Sequence, residues 1–231
     1  MRSATVNVGI FGTGNVGQTI AARFAALGHR VVIGTRDPDA TMARAEPDRM
    51  GSPPYRTWQA AHPAVRLATF ADTASSGELL VNATSGEATL HVLEAAGEDN
   101  LSGKILIDVA NPLDLSAGFP PSLSVVNTDS LGEQIQRRFP ATKVVKTLNT
   151  MNCTLMMEPE QLAGADHTVF VSGDDTDAKA TVGDWLRTIG WTDIVDLGDI
   201  TTARGTEMLI PLWVRLFGHL QTPAFQFKVV R

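Results

Sequence analysis

Apolar positions along this chain fall into two alternating periods. Val6, Val8, Ile10 and Phe11 form a short run of the buried-strand type. Val16, Ile20, Phe24 and Leu27 then recur at the three- and four-residue spacing of a helix face, and Gly28-His29 ends that helix. Arg30 to Ile33 starts a second strand. Further strands are predicted at Val65 to Thr69, Leu79 to Thr84, Lys104 to Val109, Val144 to Leu148, His167 to Val171 and Asp193 to Leu197. Helices are expected from Ser85-Gly86-Glu87 to near Gly97, from about Asp129 to Phe139, and from Thr176 to Ile189. Glu46 to Pro63 holds four prolines and predicts a surface loop with a short helix around Trp58. This alternation predicts an α/β fold of the Rossmann type, a doubly wound and mostly parallel sheet with helices on both faces.

The tail breaks the pattern. Glu207 to Leu220 has helical spacing but is apolar on nearly every side, interrupted by Pro211, Arg215 and His219. A helix without a polar face must be covered. Its cover is either the core of the same chain or a second copy, or else it floors a cleft. Thr222 to Val230 alternates like a strand. The expected organisation is a Rossmann-type domain over residues 1–198 and a small helical extension over 199–231, which completes the cleft and offers a homodimer interface.

Gly12, Gly14 and Gly17 lie between the first strand and the first helix, which is the context a G-x-G-x-x-G pattern requires. Gly12 permits the tight turn, Gly14 lets the backbone approach a phosphate, and Gly17 allows close helix–strand packing. The N–H groups of Thr13, Gly14, Asn15 and Val16 are expected to face the pyrophosphate of a dinucleotide, aided by the positive helix end. The end of the second strand selects between dinucleotides. An Asp or Glu there suits the free ribose of NAD, whereas this chain reads Gly34-Thr35-Arg36. A hydroxyl followed by a guanidinium suits a 2′-phosphate, so NADP(H) is expected over NAD. Asp37 is the competing candidate, as a ribose acid in a shifted register. Asp37-Pro38-Asp39 reads better as a turn and helix N-cap, with Arg44 one turn further on.

Composition narrows the function classes. The 231 residues are 43% hydrophobic and 19% charged, enough to bury a substantial core. A net charge of −6 argues against nucleic acid or an anionic membrane as partner. Cys153 is the single cysteine, so an intrachain disulfide and a cysteine metal cluster are excluded, and no metal is expected. No apolar run has the length of a membrane span, and the first strand begins too early to leave room for a signal peptide, so a cytoplasmic protein is expected.

Ligands of open α/β sheets lie beyond the carboxyl ends of the strands. Thr84, Ser85 and Gly86, with Ala110 and Asn111, are placed there on the ribose and nicotinamide side. Asn149, Thr150, Met151 and Asn152 face the space beyond, as the second-substrate cleft. These side chains are polar but mostly not ionisable, whereas a carbonyl substrate usually needs a proton donor. His91, His167 and Cys153 read as structural residues, and Asp174-Asp175 as a helix cap. Arg204 either meets an anionic ligand or joins Asp199 and Glu207 in an ion-pair cluster.

GTGNVG followed by GTR, then KTLNTMN, VFVSGDD and ARGTEMLIPLW, resembles the NADPH-dependent F420 reductase (F420:NADP oxidoreductase) family along essentially the whole chain. The resemblance implies direct hydride transfer between nicotinamide C4 and deazaflavin C5, with NADP(H) and F420 stacked in one cleft. Such a reaction asks mainly for positioning. It also implies pyrophosphate binding by Thr13 to Val16 and 2′-phosphate binding by Thr35 and Arg36. Ala40 stands where the family often has a further basic residue, and Thr84-Ser85-Gly86 replaces a bulkier, proline-containing segment of archaeal members. The same module occurs in the reductase domain of membrane metalloreductases. Hydroxyacid and imine dehydrogenases share the opening motif but need a long helical C-terminal domain, and too few residues follow Leu197 for one. A reductase of flavin or another small acceptor, and a non-catalytic NADPH sensor, remain as alternatives.

Overall fold

The computed structural model describes residues 4–47 and 53–231, so residues 48–52 of the proline-bearing segment lie outside the described residues. The chain runs β1 (Asn7–Phe11), α1 (Asn15–Ala26), β2 (Arg30–Thr35), α2 (Pro38–Ala43), α3 (Tyr55–Ala61), β3 (Arg66–Thr69), α4 (Phe70–Ser76) and β4 (Leu79–Asn82). It continues through α5 (Gly86–Ala96), α6 (Glu98–Leu101), β5 (Ile105–Asp108), a hairpin of β6 (Leu113–Asp114) and β7 (Ser122–Leu123), α7 (Leu131–Arg138) and β8 (Lys143–Thr147). Then come α8 (Cys153–Met157), β9 (Thr168–Ser172), α9 (Thr176–Ile189), β10 (Asp193–Gly198), α10 (Ala203–Met208) and α11 (Ile210–Leu220). The main sheet has eight strands in the order β10-β9-β8-β5-β4-β1-β2-β3. Its β3 to β8 portion is parallel throughout.

Strand alternation sends each strand's side chains to two layers. Ile10, Val81, Ile107 and Val145 pack with Ile20 and Phe24 of α1 and with Val182 and Leu186 of α9. Their neighbours Phe11, Leu80, Leu106 and Val144 pack on the other face with Leu93 of α5 and Ile135 of α7. Both faces are therefore covered, as the near-continuous apolar strands require.

Beyond β8 the sheet changes direction, because β9 pairs antiparallel to β8 and β10 follows β9 in parallel. The connection explains this. Its one α-helix, α8, has five residues and rises only about 7.5 Å, too little to carry the chain back across the sheet. β9 therefore begins at the edge where β8 ends.

The tail differs from its sequence pattern in two ways. The predicted Glu207–Leu220 helix is two helices, α10 and α11, parted at Leu209 because Pro211 fits only the first turn of a new helix. Of α11 only Ile210 and Val214 are buried, while Leu212 and Leu220 are 50% and 46% exposed, so the chain's own core does not cover most of it. Thr222 to Val230 is extended but forms no ladder strand. Among the described residues it meets β9 through Thr168, whose N–H donates to the Phe227 carbonyl and whose Oγ1 accepts from Val229 N–H. No helix among the described residues is long and apolar enough to cross a membrane.

Asp193 anchors this tail. It accepts from the Thr168 hydroxyl at 2.6 Å and pairs with Lys228 and Arg231, and these bonds hold its carboxyl down at about 2. A depressed folded pKa stabilises above the unfolded value and loses that stability as pH falls through the folded one. The expected loss is about 2 kcal/mol between pH ~4 and pH ~2. Urea unfolding across that window should show it in the parent and not in Asp193→Asn. An identical acid slope in the variant would remove Asp193 as the cause.

Candidate active site

The glycine turn opens the site. Gly12 has φ +118°, and a Cβ there would lie 2.5 Å from the Ala83 carbonyl oxygen. A Cβ on Gly17 would lie 2.1 Å from the Gly12 carbonyl oxygen, so α1 seats directly on the turn. Gly14 is the opposite case: nothing lies within 4 Å of its Cβ position. Gly14 is also the N-cap of α1 with no side-chain cap, and the N–H groups of Thr13, Gly14, Asn15 and Val16 take no partner among the described residues. Open space in front of unpartnered donors at a helix start fits a pyrophosphate in size and charge.

At the end of β2, Asp37 is the N-cap of α2, its carboxylate accepting the Ala40 N–H at 2.9 Å. The Thr41 hydroxyl donates to the Asp37 carbonyl, so it must accept from Thr35 in their 2.8 Å contact. Thr35 is buried and its hydroxyl proton is spent inside the turn. Arg36 beside it is exposed, and forms no ion pair among the described residues. Arg44 ends α2 and shares a small concavity of about 50 Å³ with Thr13, Gly14 and Gln18.

The ends of β4, β5 and β8 meet in one polar network. The Thr84 hydroxyl donates to Asn82 Oδ1 at 2.7 Å, turning inward, while Ser85 is the exposed N-cap of α5. Gly86 is held against the next loop, since a Cβ there would come within 2.3 Å of the Asn111 carbonyl oxygen. Asn111 and Asn149 form a reciprocal pair: Asn111 Nδ2 donates to the Asn149 carbonyl at 2.8 Å, and Asn149 Nδ2 donates to Asn111 Oδ1 at 2.9 Å. Between β8 and Asn149, Leu148 has φ +61°, a conformation a branched side chain adopts only under constraint.

The other expected cleft residues are engaged elsewhere. Met151 is buried in the core beneath α1 and α8. Asn152 caps α8 through its Oδ1 and donates its Nδ2 to the Pro223 carbonyl. Arg204 is bound to Glu133 through two nitrogens, and that guanidinium holds the Glu133 carboxyl below the usual range. The Asp199, Arg204 and Glu207 cluster does not form. Asp199 caps a 3-10 turn, Arg204 takes Glu133, and Glu207 points to a different cation.

That cation is Lys146, which the sequence reading passed over. It is 0% exposed and lies 2.8 Å from Asp108, 2.8 Å from Glu207 and 2.5 Å from the Ala110 carbonyl oxygen. Burial pulls its pKa down, but Asp108 and Glu207 together outweigh burial and hold it above the ordinary lysine value. Glu207 also accepts the N–H groups of Leu131 and Gly132 at the start of α7, and Asp108 accepts from Asn82 Nδ2 and Ala110 N–H. The one signal in the sequence is a lysine between the apolar pair Val144-Val145 and Leu148, in KVVKTL.

Comparison with known proteins agrees with this geometry. The profile of the family described as NADP oxidoreductase, coenzyme F420-dependent, matches residues 7–112. The crystal structure of an Arthrobacter sp. FB24 protein, provisionally named an F420-dependent NADP-reductase, is 58% identical, with TM-score 0.94, covering 99% of this chain and 100% of that one. The F420-dependent NADP reductase of Methanothermobacter thermautotrophicus is 26% identical over 210 residues, 90% of this chain and 87% of its own length. Metalloreductase STEAP3 of Rattus norvegicus is 30% identical over 212 residues, but the chain spans only 37% of its length. The open glycine cradle, the Gly34-Thr35-Arg36 strand end and these likenesses together show that the chain belongs to the family of F420-dependent NADP oxidoreductases, whose cofactor pair is NADP(H) and F420, and that it is an NADP-dependent oxidoreductase.

Proposed function

We propose that this protein transfers a hydride directly between the nicotinamide of NADP(H) and the deazaflavin coenzyme F420. The observation that carries the reading is a set of donors and amides at the strand ends: unpartnered N–H groups at the glycine turn, and the Asn111–Asn149 pair where β5 and β8 end. Hydride transfer between two rings needs no proton relay, and a bound nicotinamide supplies the hydride chemistry itself. The chain's residues supply placement. Thr13 to Val16 hold the pyrophosphate, Arg36 takes the 2′-phosphate on the frame that Thr35 and Thr41 set, and Thr84, Ser85, Ala110 and Asn111 flank the nicotinamide half. Asn149 borders the second ring. Met151 and Asn152 shape the cleft from behind, and Arg204 does so through Glu133. Residues 199–231 complete the cleft as an extension, supported by the Asn152–Pro223 and Arg204–Glu133 contacts. The exposed leucines of α11 form the interface of a homodimer, checked by sedimentation at micromolar concentration.

NADPH oxidation with oxidised F420, followed as loss of the deazaflavin absorbance beside NADH and free flavin, tests the reading. Bleaching with NADPH alone supports it. Turnover with flavin and none with F420 would replace the acceptor. Arg36→Ala should weaken NADPH by about 1.5–3 kcal/mol, the range for hydrogen bonds to charged groups, and leave NADH nearly unchanged. Equal losses for both cofactors would remove Arg36 from the 2′-phosphate site.

A further inference from the structure

Lys146 has three acceptors, and the nearest is not a carboxylate. Its Nζ lies 2.5 Å from the Ala110 carbonyl oxygen, against 2.8 Å to each of Asp108 and Glu207. A cation placed only to neutralise two acids has no need of that third contact. The Ala110 carbonyl and the Asn111 N–H belong to one trans peptide plane. A carbonyl turned inward onto Lys146 therefore turns the Asn111 N–H outward, toward the edge where the strands end. That N–H makes no hydrogen bond among the described residues, whereas the groups around it are all held. Ala110 N–H donates to Asp108, and both ends of the Asn111 side chain are bound to Asn149.

We propose that Lys146 is a positioning residue that pins the 110–111 peptide so that the Asn111 N–H donates a hydrogen bond to the nicotinamide carboxamide of the bound dinucleotide. The positive charge on the carbonyl side polarises the peptide and strengthens the donor on its far side. Asp108 and Glu207 hold the ammonium in place, and the Asn111–Asn149 pair fixes the angle of the loop. Since the carboxamide carries the ring, this bond sets which face of the nicotinamide is presented. The proposal rests on NADP(H) lying along this edge of the sheet.

Calorimetric titration with NADPH and with 2′,5′-ADP, which lacks the nicotinamide half, separates the two ideas. The double variant Lys146→Met/Asp108→Asn removes the cation together with one of its anions. It is expected to lose about 10-fold in NADPH affinity and to keep 2′,5′-ADP within about 2-fold. A purely structural Lys146 predicts equal changes for both ligands, and that result would overturn the proposal. Should the parent protein bind neither ligand, the dinucleotide reading itself falls and takes this one with it. A second measurement needs no variant. The Asn111 amide proton should move downfield on adding NADPH and stay in place on adding 2′,5′-ADP, whereas an Asn111 resonance indifferent to both overturns the assignment.

Discussion

Gly14→Val is expected to lose NADPH affinity by more than about 100-fold while costing the fold no more than about 1 kcal/mol. Gly14 has φ −78° and ψ −179°, extended backbone that valine adopts, and the space around its Cβ position is open. The protein therefore folds around the new side chain. A valine there instead fills the space in front of the Thr13 to Val16 N–H groups and keeps a pyrophosphate from reaching them. Several charge-assisted bonds are lost at once, which is why the effect exceeds that of any single contact. Gly17→Ala, only three residues on, is expected to behave in the opposite way. Its Cβ meets the Gly12 carbonyl oxygen at 2.1 Å, so α1 must lift from the turn, at about 1–3 kcal/mol of stability or more. Calorimetric NADPH titration paired with thermal melting of both variants checks the contrast. A Gly14→Val protein that binds NADPH normally would make the turn merely structural.

That contrast also shows what could be read from the chain alone. The first βαβ unit was legible because its apolar periods switch cleanly at Gly12 and Gly28, and the Asp37 cap because Asp-Pro-Asp allows little else. α4 was not, since Phe70–Ser76 is short and largely polar and carries no helical stripe. The reversal of β9 was hidden because its own strand–helix–strand run, β9-α9-β10, looks the same whichever way the unit lies on the sheet. Side-chain partners across the fold were harder still. Asp199, Arg204 and Glu207 lie close in sequence, yet α10 sends Arg204 and Glu207 to different partners on and beside α7. Asn111 and Asn149 do follow the ends of β5 and β8, but their pairing with each other was not legible, since Leu148 enters the left-handed region just before Asn149.

The buried triad sets the second large effect. Lys146→Met is expected to destabilise the protein by about 3–5 kcal/mol, because it leaves Asp108 and Glu207 buried without a cation. For a chain of this size that corresponds to a fall in Tm of roughly 10 °C or more. Glu207→Ala should cost less. The triad carries two carboxylates against one ammonium, so removing Glu207 leaves a balanced Lys146–Asp108 pair, and the main loss is the two N–H groups of α7 that it accepts. pH separates the cases further. In the parent the Lys146 pKa is raised, so its contribution is complete below the unfolded value of 10.5 and is lost as pH rises through the higher folded one. Lys146→Met has no ammonium left to deprotonate, so its stability should show none of that alkaline loss. Urea unfolding at several pH values reads all three curves. If Glu207→Ala proved the more damaging change, the helix-capping role of Glu207 would outrank its charge, and Lys146 would be held chiefly by Asp108 and the Ala110 carbonyl.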